Sequence, residues 1–325
     1  MPKPSTGQAL VEVRYSGVCG TQIGEVNGSR GPDPWIPHCL GHEGTGVVLE
    51  VGPEVTQVAT GDEVVMSWIQ GAGIATGGAT YGSALGLVNS GPVATLMRHA
   101  VIGETRLTRL PHGLSLREAV ALGCPAPTGL GAVRKVLGCA KGQSLVVFGA
   151  GGVGLFAILA GVSCEAYPIA CVDPKAPRRQ LALDWGATHA LNPTDAGSGE
   201  QLQELVGGST DAIVVATGHP EALLHSLNLL KPQGGQVVVV GNAPHGSEVR
   251  IDLALFNQGK SIRGTWGGDA KPAEDFPWMA QIIADSATRV ARLYSEAYSL
   301  ENTNAAFDAM SSGKVGRALI DMNMV

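Results

Sequence analysis

The sequence predicts an α/β protein of two domains: a small, irregular β domain followed by a doubly wound parallel sheet. Its 325 residues are enough for two cores of ordinary size. Residues 8–120 carry short alternating runs separated by Gly/Pro turns, as in Ala9–Tyr15, Gly46–Val51 and Asp62–Met66. From about Ala121 the texture changes to strands alternating with helices, the rhythm of a parallel sheet covered on both faces.

The elements of the second stretch follow in order. Ser144–Phe148 reads as a buried strand, then a glycine turn and the apolar helix Val153–Val162. Ala166–Val172 is the next strand, Arg178–Trp185 a helix with leucines at 181 and 183, and Ala187–Leu191 a strand. Ala212–Ala216, the helix Glu221–Leu230 and Gln236–Val240 complete the series. After about Gly264 the rhythm breaks, and helices Phe276–Ala287 and Asn302–Ser312 precede a last strand, Ala318–Asp321. The boundaries expected are 1–125 for the β domain, 126–266 for the parallel sheet, and 267–325 returning to the first domain.

Composition narrows the function classes. With 44% hydrophobic and 15% charged residues the chain is globular. A formal charge of −6 gives no electrostatic reason to expect nucleic acid or an anionic membrane. Met1–Gln8 is polar and proline-containing, unlike a secretory signal, and the apolar runs are too short and glycine-broken to span a bilayer. The expected location is the cytoplasm. The six cysteines form no C-x-x-C pair, so free thiols and metal ligands fit better than disulfides.

Gly149-Ala150-Gly151-Gly152-Val153-Gly154 follows a predicted strand and opens a helix. A lone G-x-G-x-x-G carries little in a glycine-rich chain, but this context matches dinucleotide binding. Gly149 permits the tight turn, Gly151 lets backbone approach a pyrophosphate, and Gly154 allows close helix–strand packing. Asp173 ends the next strand roughly twenty positions on, where a ribose-binding acid belongs. A carboxylate there accepts from both ribose hydroxyls and repels a 2′-phosphate, which favours NAD over NADP. Lys175, Arg178 and Arg179 follow closely and can attract that phosphate. Gly241, after Gln236–Val240, joins the expected cofactor set.

Three further segments carry metal-ligand candidates: Cys19 in Val-Cys-Gly-Thr, His42-Glu43 in Gly-His-Glu-Gly, and Cys124 in Gly-Cys-Pro. Two thiolates and a neutral imidazole suit Zn²⁺, cancel its charge and leave a fourth position for water or substrate. Taken singly, each has a duller explanation as a buried thiol or a surface pair. Cys39, Cys139, Cys164 and Cys171 are given that explanation, as are the other seven histidines.

In combination, V-C-G-T, G-H-E-G-T-G-V-V, V-x-x-G-D-E-V, G-C-x-x-x-T-G and the glycine loop resemble the zinc-containing medium-chain alcohol dehydrogenases, in order and spacing, from Val11 to Arg317. The resemblance implies a GroES-like, mainly β catalytic domain split around a Rossmann domain. A catalytic zinc would lie in the cleft between them, held by Cys19, His42 and Cys124, with Glu43 as a neighbour or alternative ligand. It further implies that Thr21 takes the substrate proton, Thr128 packs on the nicotinamide, Arg178 lies along the adenosine and Arg317 pairs with the pyrophosphate. Trp68 aligns with an aromatic lining the substrate pocket, although a core tryptophan is nearly as good a reading.

Three departures from the family pattern bear on function. The chain begins where the family's second or third strand would be. The stretch Ile69–Val88 has no cysteine where the family carries a four-cysteine structural zinc lobe, so one zinc per chain is expected. Gln22 stands where an aspartate usually orients the zinc-bound histidine, and is expected beside the substrate pocket; its neutral amide would leave His42 less basic. The family's downstream relay histidine falls at Gly24.

The function expected is hydride exchange between NAD(H) and an alcohol/carbonyl pair, in a homodimer or homotetramer. The polar, glycine-rich Tyr81–Val93 favours a hydroxylated substrate such as a polyol or sugar derivative. Two alternatives share the fold: a zinc-independent quinone or enoyl reductase, and a non-catalytic NAD-binding protein.

Overall fold

Strand β1 (Gln8–Gly17) organises the first part of the chain, in a computed structural model that describes residues 1–84 and 86–324. Its Val11 and Val13 point into a core that excludes water, while Glu12 and Arg14 are only half-covered. One edge of β1 pairs antiparallel with β2 (Glu43–Val51) across two register shifts. β2 continues into β3 (Glu63–Ser67). A separate hairpin, β4 (Thr80–Ser83) and β5 (Gly86–Asn89), occupies the stretch expected to lack a zinc lobe. β6 (His99–Gly103) takes the first half of β1's other edge, and β7 (Leu107–Arg109) extends the sheet beyond β3. Tyr81 ties the hairpin to this sheet, because its hydroxyl accepts the Val101 N–H at 2.8 Å.

The chain divides into two compact units, Met1–Cys124 with Lys271–Val325, and Pro125–Ala270. The second holds a six-stranded, wholly parallel sheet. Its strands are β8 (Leu145–Phe148), β9 (Ile169–Val172), β10 (His189–Leu191), β11 (Ala212–Val215), β12 (Gln236–Val239) and β13 (Ser261–Gly264). Their spatial order is β10-β9-β8-β11-β12-β13, so the winding reverses between β8 and β11. This is the Rossmann order, with its ligand crevice at the reversal. β8, β9 and β11 are buried along their whole length, as parallel strands covered on both faces must be. Helix Gly152–Ser163 is apolar nearly all round and buried from Gly154 to Gly161. A Cβ at Gly161 would sit 2.6 Å from Leu145 Cδ2, so glycine brings this helix onto the sheet.

The chain then returns to the first unit through helices Pro272–Asp285, Ala287–Leu293 and Thr303–Ser312. β14 (Ala297–Tyr298) pairs with β15 (Leu319–Asp321), and β15 takes the second half of β1's free edge. Val11, Val48, Met66, Ile102, Met310 and Ile320 share the resulting core.

Sequence and structure differ mainly where glycine or proline hides a helix. Helix Gly20–Val26 was not expected, because Gly20 and Gly24 weaken its pattern. Helix Ser198–Leu205 was missed for the same reason at Gly199. The helix expected from Phe276 begins at Pro272, where proline's fixed φ suits a first turn. Among the described residues, no helix is long and apolar enough to cross a membrane.

Candidate metal and nucleotide sites

Cys19 ends the β1 segment as the N-cap of helix Gly20–Val26. Its N–H donates to Gln22 Oε1 at 2.7 Å, and this local turn fixes the thiol's direction. His42 immediately precedes β2 and is bracketed by two glycines with little freedom to change. Gly41 has φ +99°, and a Cβ there would lie 2.7 Å from Thr95 N; a Cβ at Gly44 would lie 2.8 Å from Tyr15 O. Cys124 follows the turn Val120–Gly123. These segments bring together donor atoms from positions a hundred residues apart. The ligand atoms of Cys19, His42 and Cys124 all lie within 4.8 Å of one another.

Both thiols are buried and unequal. The hydrogen bond from Cys124 holds the Cys19 thiol well below its ordinary value, against the upward push of burial; Arg317 and His42 add to the lowering. Cys124, the partner that keeps the proton, is pushed well above its ordinary value by that bond, by burial and by the Cys19 charge. Burial pushes His42 down, but the adjoining Cys19 thiolate outweighs it and the net shift is upward. Two buried thiols and an imidazole whose ligand atoms converge within 4.8 Å have the donor chemistry of a Zn²⁺ site. Thr21 Oγ1 lies 3.6 Å from Cys19 Sγ, at the edge of this cluster.

Glu43 lies behind the cluster. Its Oε1 accepts from Arg317 Nε at 3.1 Å and Nη2 at 2.5 Å, and both residues are buried. Burial pushes the Glu43 carboxyl up, opposed by the Arg317 charge. Gly17 and Gly123 make room for it. A Cβ at Gly17 would lie 2.7 Å from Glu43 Cδ, and one at Gly123 2.7 Å from Glu43 Cβ.

Arg317, expected at the pyrophosphate, is the partner of Glu43 and uses its Nε and Nη2 on that carboxylate. One expectation needs correction here. Gln22 was expected beside the substrate pocket and in place of the residue that orients His42. Instead it is fully buried and its carbonyl serves the Cys19 backbone. Trp68 is partly buried and packs against the core of the first unit. Gly24 has no positive φ, yet a Cβ there would come within 3.1 Å of Ser29 Oγ and 3.2 Å of Arg30 Cγ, so crowding by the following turn is what favours glycine.

The second unit presents the glycine loop after β8. Gly149 takes φ +96°, and a Cβ at Gly154 would overlap the Gly149 carbonyl oxygen, so the third glycine sets the packing of helix on loop. A Cβ at Gly151 meets no protein atom within 4 Å, and Gly152 and Val153 begin a helix with no acidic residue in its first turn. That end offers uncapped N–H groups to an anion. Asp173 is buried, with Oδ2 accepting from Ala150 N at 2.9 Å and Oδ1 from Lys175 N at 2.8 Å. The acid therefore holds the glycine loop as well as a turn of its own. Thr128 is buried on helix Pro125–Gly131, Arg178 is half-buried, and Gly241 lies against the Thr217 backbone.

Sequence reading missed a cavity of about 320 Å³ at the C-terminal ends of β8, β9 and β10, lined by Phe148, Val172, Leu191, Pro193, Leu202 and His225 among others. The signal that would have found it is the last residue of each consecutive parallel strand.

Comparison with known proteins agrees with this geometry. Residues 5–112 match the alcohol dehydrogenase GroES-like domain and residues 152–285 the zinc-binding dehydrogenase domain. The chain belongs to the zinc-containing medium-chain dehydrogenase family. It is 28% identical over 344 residues to an S-(hydroxymethyl)glutathione dehydrogenase of Synechocystis, a match covering 98% of this chain and 93% of that protein. It is also 28% identical over 353 residues to an NDMA-dependent alcohol dehydrogenase of Amycolatopsis methanolica, covering 98% and 92%. The crystal structure of benzyl alcohol dehydrogenase from Acinetobacter calcoaceticus superposes with a TM-score of 0.88 at 28% identity, covering 99% of this chain and 93% of that one.

Proposed function

We propose that the chain is a zinc-dependent alcohol dehydrogenase that uses NAD(H) in preference to NADP(H) and acts on a small hydroxylated substrate, in the cytoplasm. The observation that carries the reading is the buried Cys19–His42–Cys124 cluster with the Thr21 hydroxyl at its edge. Zinc held by these three side chains supplies Lewis-acid polarisation of a substrate oxygen. The two thiolates balance its charge, and the paired Glu43 and Arg317 add none.

The chain's own groups do the rest. An alcohol gives hydride from its carbon only as its hydroxyl loses a proton, and Thr21 Oγ1 takes that proton as it releases its own. Gly24 offers no side chain to carry the released proton further, so it leaves through water or another group. On the second unit, the N-terminus of helix Gly152–Ser163 binds the pyrophosphate, and Asp173 accepts from the adenosine ribose. The cavity beyond β8–β10 suits the adenine ring: apolar walls of Phe148, Val172 and Leu191 with His225 at one side. Support for a polyol or sugar-derived alcohol comes from the polar, glycine-rich Tyr81–Val93.

The test is NAD-linked turnover of an alcohol panel by purified protein, before and after metal removal by a chelator. Turnover should vanish with the metal and return with zinc. Undiminished turnover by metal-free protein, or none with any alcohol or carbonyl, contradicts the proposal.

A further inference from the structure

His42 stands in the short segment 40–43, and one residue of a distant loop holds that segment at both ends. Thr95 lies between β5 and β6 and is wholly buried. Its N–H donates to Leu40 O at 3.3 Å, beside Leu96 N at 3.0 Å, and its hydroxyl donates to Glu43 O at 3.1 Å. The glycines on either side of His42 and Glu43 face it too. A Cβ at Gly41 would overlap Thr95 Oγ1, and one at Gly44 would come within 3.1 Å of Thr95 Cβ and Cγ2. The backbone that carries His42 therefore lies against Thr95 with no side chain between them.

Ser16 on β1 completes the arrangement, equally buried, with its hydroxyl 2.8 Å from Thr95 Oγ1 and 3.3 Å from Glu43 O. Three oxygens share two hydroxyl protons there. A carbonyl only accepts, so satisfying all three directs one proton at Glu43 O and places the other between the hydroxyls. Thr95 has the shorter path to the carbonyl, and Ser16 makes its closest contact with Thr95. The protons therefore run from Ser16 to Thr95 and from Thr95 to the carbonyl. Thr95 is the donor on the segment, and Ser16 orients that donor.

We propose that Thr95 is a positioning residue for His42: it clamps Leu40 O through its backbone and Glu43 O through its hydroxyl, so the imidazole is in place before a metal binds. The inference rests on reading Cys19, His42 and Cys124 as a metal site, and extends that reading to a residue outside the donor set. Apparent metal affinity falls with the fraction of protein whose donors are already placed. Without the Thr95 hydroxyl, Glu43 O loses its nearer hydroxyl donor. The segment then keeps one clamp of two, and the metal has to select the placed form from others.

The measurement is zinc affinity by competition with a chromophoric chelator, beside urea unfolding of the metal-free protein. Thr95→Val keeps the shape and removes the hydroxyl, and should weaken zinc binding roughly tenfold, the weight of one buried hydrogen bond. Thr95→Ser restores the donor, and Ser16→Ala removes the outer hydroxyl; both should stay within about threefold of the wild type. Thr210→Val is the control. It removes a buried hydroxyl of the second unit, bonded to Ser144 Oγ at 3.0 Å, and should lower stability without moving zinc affinity. A Thr95→Val protein within about twofold of the wild type overturns the inference. So does a Thr210→Val protein that loses as much affinity, which traces the effect to stability alone, or a Ser16→Ala protein that does, which makes Ser16 the donor. Should Thr95→Val fail to fold, amide exchange of Thr95 and Leu96 in metal-free wild type decides. Protection there supports a segment clamped before metal arrives, and exchange at the rate of an open chain refutes it. Wild-type protein that binds no zinc removes the metal reading itself, and the inference with it.

Discussion

The Cys19–His42–Cys124 cluster and the glycine loop are built by opposite routes. The glycine loop is local. Gly149 and Gly151 form the turn, Gly154 stands in the first turn of the helix that follows, and the acid that steadies the loop, Asp173, comes directly after the very next strand. The metal cluster is assembled from three distant segments, and the Glu43–Arg317 pair behind it closes across almost the whole chain. A local site depends on backbone shape, so glycine substitutions damage it. An assembled site depends on side chains whose partners come from elsewhere, so its weak points are charges and hydrogen bonds.

The largest effect expected on that contrast is at Thr21. Thr21→Val keeps the shape and removes the hydroxyl, and should lower kcat/KM by roughly 10²-fold. Thr21→Ser should keep most activity, and zinc content should be unchanged in both. Steady-state kinetics with metal analysis checks this. Near-normal turnover by Thr21→Val would mean that the proton leaves by another route and that a side chain at the cluster's edge can be dispensed with.

Two buried carboxylates of the first unit sharpen the comparison. Glu43 has one oxygen without a partner, whereas Glu104 is fully used. Glu104 Oε2 accepts from Thr56 N and Gln57 N, and Oε1 from Ile74 N. Burial pushes the Glu104 carboxyl up, but these three backbone N–H groups outweigh it and hold it below the usual value. A lowered folded-state value means that the stabilisation is present above the unfolded value near ~4.3 and is lost as pH falls through the folded one. Glu104→Gln should therefore cost about 1–3 kcal/mol at neutral pH and flatten the acid limb of stability. Urea unfolding at neutral and acid pH measures this. Equal losses at both pH values would show that the charge is not what matters.

A smaller effect is expected at Asp173. Asp173→Ala should weaken NAD binding roughly tenfold and narrow its preference over NADP, since both the ribose acceptor and a brace of the glycine loop are removed. Titration of both cofactors checks it. Tighter NADP binding by the wild type would show that Lys175 or Arg178 sets the preference.

The same division explains what the sequence made legible. The glycine loop, its strand and the Asp173 that braces it could be read directly, because each lies within one βαβ unit and follows from backbone geometry. Cys19, His42 and Cys124 stood out only as a set, because nothing local distinguishes a candidate ligand thiol from Cys171, whose burial pushes its thiol up. Gln22 was misplaced, and the pairing of Arg317 with Glu43 went unread, because a side chain's partner is not written beside it.

The central claim is that Cys19, His42 and Cys124 hold one catalytic zinc. Elemental analysis of purified protein, with Cys124→Ser measured in parallel, tests it most directly. The account predicts about one zinc per wild-type chain at full occupancy, and loss of both zinc and turnover in the variant. Two tightly bound zincs per wild-type chain, or a Cys124→Ser protein that keeps its metal and its activity, would contradict it.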